Sequence, residues 1–225
     1  MIELRNVAKE YRAGAGGTRT MALSGASLDV AEGEFIALMG PSGSGKSTLL
    51  SILGGLNPPT SGEVTIDTIP VYQLSQERLA DFRREYIGFV FQQFQLIPYL
   101  TALENVMLPL AITRKKQDEQ RELAEAVLTR VGLAGKHDRL PNQLSGGEQE
   151  RVAIARAIVN DPPVLLADEP TGALDTRTSE EIMDLFRFLN QDGLTIVMVT
   201  HNRENARYAG KTVEIRDGSI TSSSG

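Results

Sequence analysis

EFIALMGPSGSGKST, residues 34–48, runs an apolar stretch into a glycine-rich loop and then into KSTLLSILGGL, which reads as a helix. The loop fits G-x-x-x-x-G-K-[ST] at every fixed position, from Gly40 through Pro41, Ser42, Gly43 and Ser44 to Gly45, Lys46 and Ser47, with Thr48 following. Glycines let backbone N–H groups converge on an anion, and a helix N-terminus adds positive potential there. The pattern carries weight because a strand precedes it and a helix follows. Lys46 is placed to reach the β- and γ-phosphates of a nucleotide, and the Ser47 hydroxyl to ligate Mg²⁺.

A site of this kind needs an acid opposite the loop. VLLADE, residues 164–169, provides one: an apolar strand that delivers Asp168 to the carboxyl edge of a sheet, where open α/β folds bind ligands. Asp168 is expected to hold Mg²⁺ through its water shell. Glu169, the next residue, is expected to polarise the attacking water as general base. Together the two motifs predict a Mg-dependent purine nucleoside triphosphatase.

The rest of the chain fits an α/β protein. IELRNVAKEY and ALSGASLDV read as strands joined by RAGAGGTRT, a flexible hairpin loop or else a partner contact. A turn and strand (NPPTSGEVTID), a short helix (SQERLADFRREY) and a buried strand (IGFVFQ) follow. From 92 to 161 the character turns helical, with TALENVMLPLAI and DEQRELAEAVLTRV as main segments; Leu123, Val127, Leu128 and Val131 share one core-facing side. A helix over 177–191, the strand LTIVMVTH, and a closing pair around Asp217-Gly218 complete the chain, with TSSSG as a disordered tail. Strands alternating with helices predict a mainly parallel sheet.

Composition narrows the functional classes. The formal charge of −6 over 225 residues disfavours a broad nucleic-acid footprint. There are no cysteines and only two histidines, far apart, which leaves no transition-metal set. His137, in GLAGKHDRLP, reads as solvated. No stretch approaches a membrane span, so work at a membrane requires a partner.

LSGGEQERVAIARA, from Leu144, adds a second cradle-like motif: Ser145, Gly146 and Gly147 at a helix start, directly before the acidic strand. With it the chain resembles the ATP-binding-cassette (ABC) family over essentially its whole length, in the correct motif order. The resemblance implies a P-loop (RecA-like) core over 1–91 and 162–225, mainly parallel, with an antiparallel β subdomain and an inserted helical subdomain over 92–161. It implies further roles: Gln92 as a Mg²⁺ and water contact that senses the γ-phosphate, Asp175 in the interface-crossing loop Gly172–Asp175, and His201 as a γ-phosphate switch. It also implies that Tyr11 stacks on adenine, with Tyr72 and Tyr86 as other candidates. In this family Ser145, Gly146 and Gly147 cap the γ-phosphate of a second subunit, which gives a head-to-tail homodimer around two ATP.

GFVFQQFQLIPYLTALENVMLPLAI and LADEPTGALD are similar to the macrolide-efflux and lipoprotein-release group. That implies export or extrusion driven through a membrane permease subunit on the cytoplasmic face of the membrane, whose coupling helix docks near Phe94–Leu100. Phe89 and Phe91 read as core. Related cell-division complexes instead activate extracytoplasmic hydrolases, and the chain alone does not exclude that. A soluble member acting on ribosomes or DNA fits less well, since there is one cassette and no long coiled coil. The sequence departs from the group at Glu150, where glutamine is usual. Extra negative charge there is expected to weaken the grip on the partner's ATP modestly. Gly172, where serine is more familiar across the wider family, is given little weight.

Overall fold

The computed structural model describes residues 1–12, 17 and 19–224. Most of the expected glycine-rich hairpin loop falls outside the described residues. In chain order the elements are β1 (Ile2–Arg12), β2 (Arg19–Val30), β3 (Phe35–Met39), α1 (Lys46–Leu53), β4 (Ser61–Ile66), β5 (Ile69–Pro70), α2 (Gln76–Tyr86) and β6 (Ile87–Phe91). Then come α3 (Ala102–Met107), α4 (Gln117–Arg130), α5 (Gly146–Ile158), β7 (Val164–Asp168), α6 (Thr176–Gln191), β8 (Thr195–Val199), α7 (Arg203–Ala206), β9 (Lys211–Arg216) and β10 (Ser219–Ser224).

Among the described residues the strands form two sheets. One has six strands in the order β10-β9-β3-β8-β7-β6, parallel throughout except for the β9–β10 hairpin. The other is antiparallel, in the order β2-β1-β4-β5. The result is a mainly parallel core sheet with an antiparallel β layer and a set of helices, as expected.

The short apolar strands are buried on both faces, as parallel strands covered on both sides must be. In β3, Phe35 and Ala37 join the core formed with α3, α4, α5 and α6, while Ile36 and Leu38 face the core shared with α1, α2 and the antiparallel sheet. In β7, Leu165 and Ala167 face the first core, Val164 and Leu166 the second. The sheet is therefore the wall between two cores, and its carboxyl edge collects the loops that follow β3, β7 and β8.

The structure differs from the sequence reading in several places. TALENVMLPLAI is not one helix: α3 ends at Met107 and Leu108–Leu110 form a 3₁₀ turn. Pro109 has no N–H to give and its ring opposes the carbonyl four residues earlier, so the α-helix stops before it. TSSSG is not a loose tail either. Ser222, Ser223 and Ser224 pair with Glu214, Val213 and Thr212 on the edge of β9. The backbone of an edge strand recruits them where their side chains gave no signal. His137 is half-buried with Nε2 out of water and unbonded, rather than solvated.

Candidate functional site

The loop between β3 and α1 is shaped by what cannot fit there. A Cβ on Gly40 would stand 2.1 Å from the Ile215 carbonyl oxygen, and one on Gly45 would stand 2.4 Å from that of Ala22. Gly45 also holds φ +104°, a left-handed value that favours glycine, immediately before α1. The β9–β10 turn braces the loop from beneath, with Gly218 N–H donating to the Ser44 carbonyl at 3.1 Å. Lys46 is buried and its ammonium donates to the carbonyls of Gly40 and Pro41, both at 2.8 Å. Ser44 Oγ is buried without a partner, an orphan that a ligand in the cradle would satisfy.

Residues 40–48 line a cavity of about 650 Å³ together with Ala22, Glu169 and His201. The end of β7 supplies the acids. Ser47 Oγ lies 3.2 Å from Asp168 Oδ1, a side-by-side oxygen pair suited to a hard cation such as Mg²⁺. Burial raises the Asp168 pKa, and Glu169 nearby raises it further; the Ser47 hydrogen bond and the Lys46 charge act against this. Glu169 turns out of the strand with φ +48°, its N–H held by the Val199 carbonyl at 2.9 Å. His201 Nδ1 lies 2.8 Å from Glu169 Oε2, with the imidazole largely exposed. The carboxylate, the imidazole and the phosphate loop thus face one space.

Other expected site residues lie elsewhere. Gln92 is exposed just after β6 and its amide lies across Gly172, whose added Cβ would meet Gln92 Nε2 at 2.8 Å. Gly172 therefore gives Gln92 room, a role the sequence reading did not see. Ser145 N-caps α5, with its hydroxyl accepting from Glu148 N–H at 3.3 Å and Glu148 Oε2 accepting from Ser145 N–H at 2.8 Å. That backbone bond, with a smaller contribution from Lys136, lowers the Glu148 pKa. Asp175 caps α6, and its bonds to Thr178 lower its own pKa. Ser145, Gly146, Gly147, Gln92 and Asp175 are not among the residues lining the 650 Å³ cavity.

Tyr11 does not line that cavity either. It is 41% exposed on β1, its hydroxyl accepts from Asn57 at 2.6 Å, and Lys9 Nζ stands 5.2 Å over its ring. Of the other candidates, Tyr72 donates into the backbone of Asn57 at 3.0 Å, with burial pushing its pKa up, and Tyr86 stacks on Phe82.

Glu150 is not placed as its expectation supposed. It is fully buried on α5, and burial pushes its pKa up to about 9 against the opposing charge of Arg156. The side chain faces the interior, where burial favours its neutral, protonated form, rather than turning a charge toward a nucleotide. Phe89 packs against the second core as expected, while Phe91 belongs to neither core. Stacked 5.3 Å apart and only half-buried, they line a groove of about 400 Å³ with Arg83, Arg84, Ile112 and Arg156.

The comparisons with known proteins agree with this geometry. A family model described as "ABC transporter" matches residues 23–172. The chain is 50% identical over 225 residues to the uncharacterized ABC transporter ATP-binding protein YknY of Bacillus subtilis, covering all of this chain and 96% of that one. It is also 50% identical over 223 residues to the macrolide export ATP-binding/permease protein MacB of Rhodopirellula baltica, covering 98% of this chain but 32% of that protein. Among solved structures, it resembles the dimeric, post-hydrolysis ATP-binding cassette MJ0796 bound to ADP and Pi. The TM-score is 0.90 at 48% identity, covering 100% of this chain and 98% of that one; MJ0796 is a protein of Methanocaldococcus jannaschii. By sequence, motif order and fold, the chain belongs to the ABC transporter ATP-binding family.

Proposed function

We propose that this ATPase works as a head-to-tail homodimer that clamps two ATP molecules and drives a membrane permease subunit. The observation that carries the reading is the separation within one chain: the phosphate loop, Glu169 and His201 share a cavity that Ser145, Gly146 and Gly147 do not line. The γ-phosphate cap then comes from a second copy, and ATP becomes part of the interface. The dimer of MJ0796 supports this arrangement.

Within the site, the loop amides and Lys46 hold the phosphates, and the orphaned Ser44 hydroxyl gains a partner. Ser47, Asp168 and Gln92 are the oxygen donors that would hold Mg²⁺, directly or through water. Bound there, the cation would offset the charge that builds on the phosphate oxygens during transfer. Glu169 draws a proton from the attacking water, and His201, whose Nδ1 lies 2.8 Å from Glu169 Oε2, stands beside that carboxylate and reaches for the γ-phosphate. Tyr11 stacks on the adenine.

For the permease, the 400 Å³ groove beside Phe89 and Phe91 continues toward Phe94–Leu100, where Tyr99 stands 77% exposed. An apolar coupling helix fits such a surface. No helix among the described residues is long and apolar enough to cross a membrane, and we place the chain on the cytoplasmic face through its partner. The macrolide-export relative supports an exporter.

Replacing Glu169 with glutamine tests the reading. Turnover is expected to fall by about 10²–10⁴-fold, the usual contribution of a general base, while light scattering detects an ATP-dependent dimer. A variant that stays monomeric with ATP, or hydrolyses near the wild-type rate, overturns the assignment. A pull-down from detergent-solubilised membranes identifies the permease.

A further inference from the structure

Arg156 occupies the last turn of α5, and its guanidinium reaches back to the segment that follows Gln92. Nη1 donates to the Gln95 carbonyl at 2.6 Å and Nη2 to the Phe94 carbonyl at 2.8 Å. Both acceptor residues hold φ +49° without being glycine, a left-handed conformation that side chains resist. Two consecutive residues of this kind need an outside constraint to persist. Among the described residues Arg156 forms no ion pair within 4.0 Å, and its two bonds go to this turn.

The turn also touches the other end of α5. The Phe94 ring lies 3.9 Å from where a Gly146 Cβ would stand. One helix therefore flanks the turn at both ends: its N-terminus lies near the Phe94 ring, and its C-terminal turn is bonded to it through Arg156. Gln92 lies two residues before Phe94, inside the turn closed by Phe94 N–H donating to the Phe91 carbonyl at 3.2 Å.

We propose that Arg156 is a positioning residue for catalysis. Its fork holds residues 94 and 95 in the left-handed turn, and the turn aims Gln92 at the nucleotide while joining it mechanically to the signature helix. The inference rests on Gln92 being the phosphate sensor. A planar fork with two separate donors is required, so lysine, a single point donor, does not replace it.

The test measures steady-state ATPase kinetics, melting temperature and amide hydrogen exchange over residues 93–97. In Arg156→Lys, kcat is expected to fall about tenfold, in line with losing a hydrogen bond to a charged group. KM for ATP, set by the phosphate loop, stays near wild type, and exchange over 93–97 accelerates. Adding Gln95→Gly, which adopts the left-handed value unaided, restores most of the rate. Gln95→Val strains the same turn without touching α5 and lowers kcat with KM unchanged, which decides the matter should Arg156→Lys fail to fold. Wild-type kcat in Arg156→Lys or in Gln95→Val, or no rescue by Gln95→Gly, overturns the proposal. Gln92→Ala separates the two claims: if it keeps wild-type kcat, the sensor reading fails; if it lowers kcat while Arg156→Lys does not, only the positioning role fails.

Discussion

Glu150→Gln tests whether a buried acid lies at the heart of the signature helix. The Glu150 side chain is 0% exposed and neither carboxyl oxygen has a hydrogen-bond partner. Burial lifts its pKa from 4.5 to about 9, with the Arg156 charge opposing. In the fold the proton stays on through neutral pH, whereas the unfolded chain releases it near the ordinary value. A group with a raised folded pKa contributes stability that is intact below the unfolded pKa and is lost as pH climbs toward the folded one. Between those limits each pH unit costs about 1.4 kcal/mol. At about pH 7.5, three units above the free value, the loss is about 4 kcal/mol, a large part of a typical domain's stability. Glutamine keeps the shape and removes the titration. Urea unfolding of both proteins without nucleotide, from about pH 5.5 to about pH 8.5, provides the assay, and subtracting one curve from the other cancels every other titrating group. The variant should gain on wild type by about 1.4 kcal/mol per pH unit. A stability difference that stays flat with pH refutes the buried neutral acid, whatever its sign, because an amide's own unmet bonds give only a constant offset.

Three further substitutions follow from the packing and hydrogen bonding of the fold. Gly40→Ala drives a methyl into the Ile215 carbonyl, 2.1 Å away; nucleotide titration should show affinity weakened by about 100-fold or more, near 2.7 kcal/mol. Asn205→Ala removes the buried donor that holds Thr171 Oγ1 at 2.6 Å, leaving that hydroxyl unpaired at a cost of about 1–3 kcal/mol. Adding Thr171→Val should recover most of this in a double-mutant cycle read by urea unfolding. Gly54→Ala at the end of α1 meets the Phe89 ring at 2.0 Å, so the melting midpoint should report about 1–3 kcal/mol of overpacking strain.

The motifs were legible because their chemistry is contiguous. A strand, six glycine-loop residues, a lysine and a serine need nothing from elsewhere to be read as a phosphate cradle, and an apolar run ending in Asp168-Glu169 declares its own sheet edge. What escaped depends on what lies opposite. The hydroxyl of Thr171 and the amide of Asn205 meet across 34 residues, and Arg156 reaches a turn 62 residues earlier; neither pairing leaves a local mark. Glu150 did leave one. It falls on the buried stripe Gly147, Glu150, Ile154 and Ile158 of α5, and a helical period applied to that stripe turns it inward. Reading it by its place in the motif pointed the charge at the nucleotide instead.

The glycines of the LSGG motif answer two demands at once, and only one is electrostatic. As an anion cap, residues 146 and 147 need exposed N–H groups at a helix start, which most small residues provide. Packing is stricter. A Cβ on Gly147 would stand 2.4 Å from Thr178 Cγ2, and one on Gly146 would stand 3.2 Å from Leu174. Thr178 is held by Asp175, and Leu174 and Asp175 belong to the loop that also carries Gly172, across which Gln92 lies. Three segments, around Gln92, Leu174–Asp175 and Gly146–Gly147, therefore approach one another within a single chain, at points where a side chain is missing on one side. A side chain added at Gly146, Gly147 or Gly172 would have to displace Leu174, Thr178 or Gln92, so the fit between these segments depends on glycine. The absence of Cβ atoms is what lets the segments around Gln92, Leu174–Asp175 and Gly146–Gly147 come within packing distance of one another in a single chain.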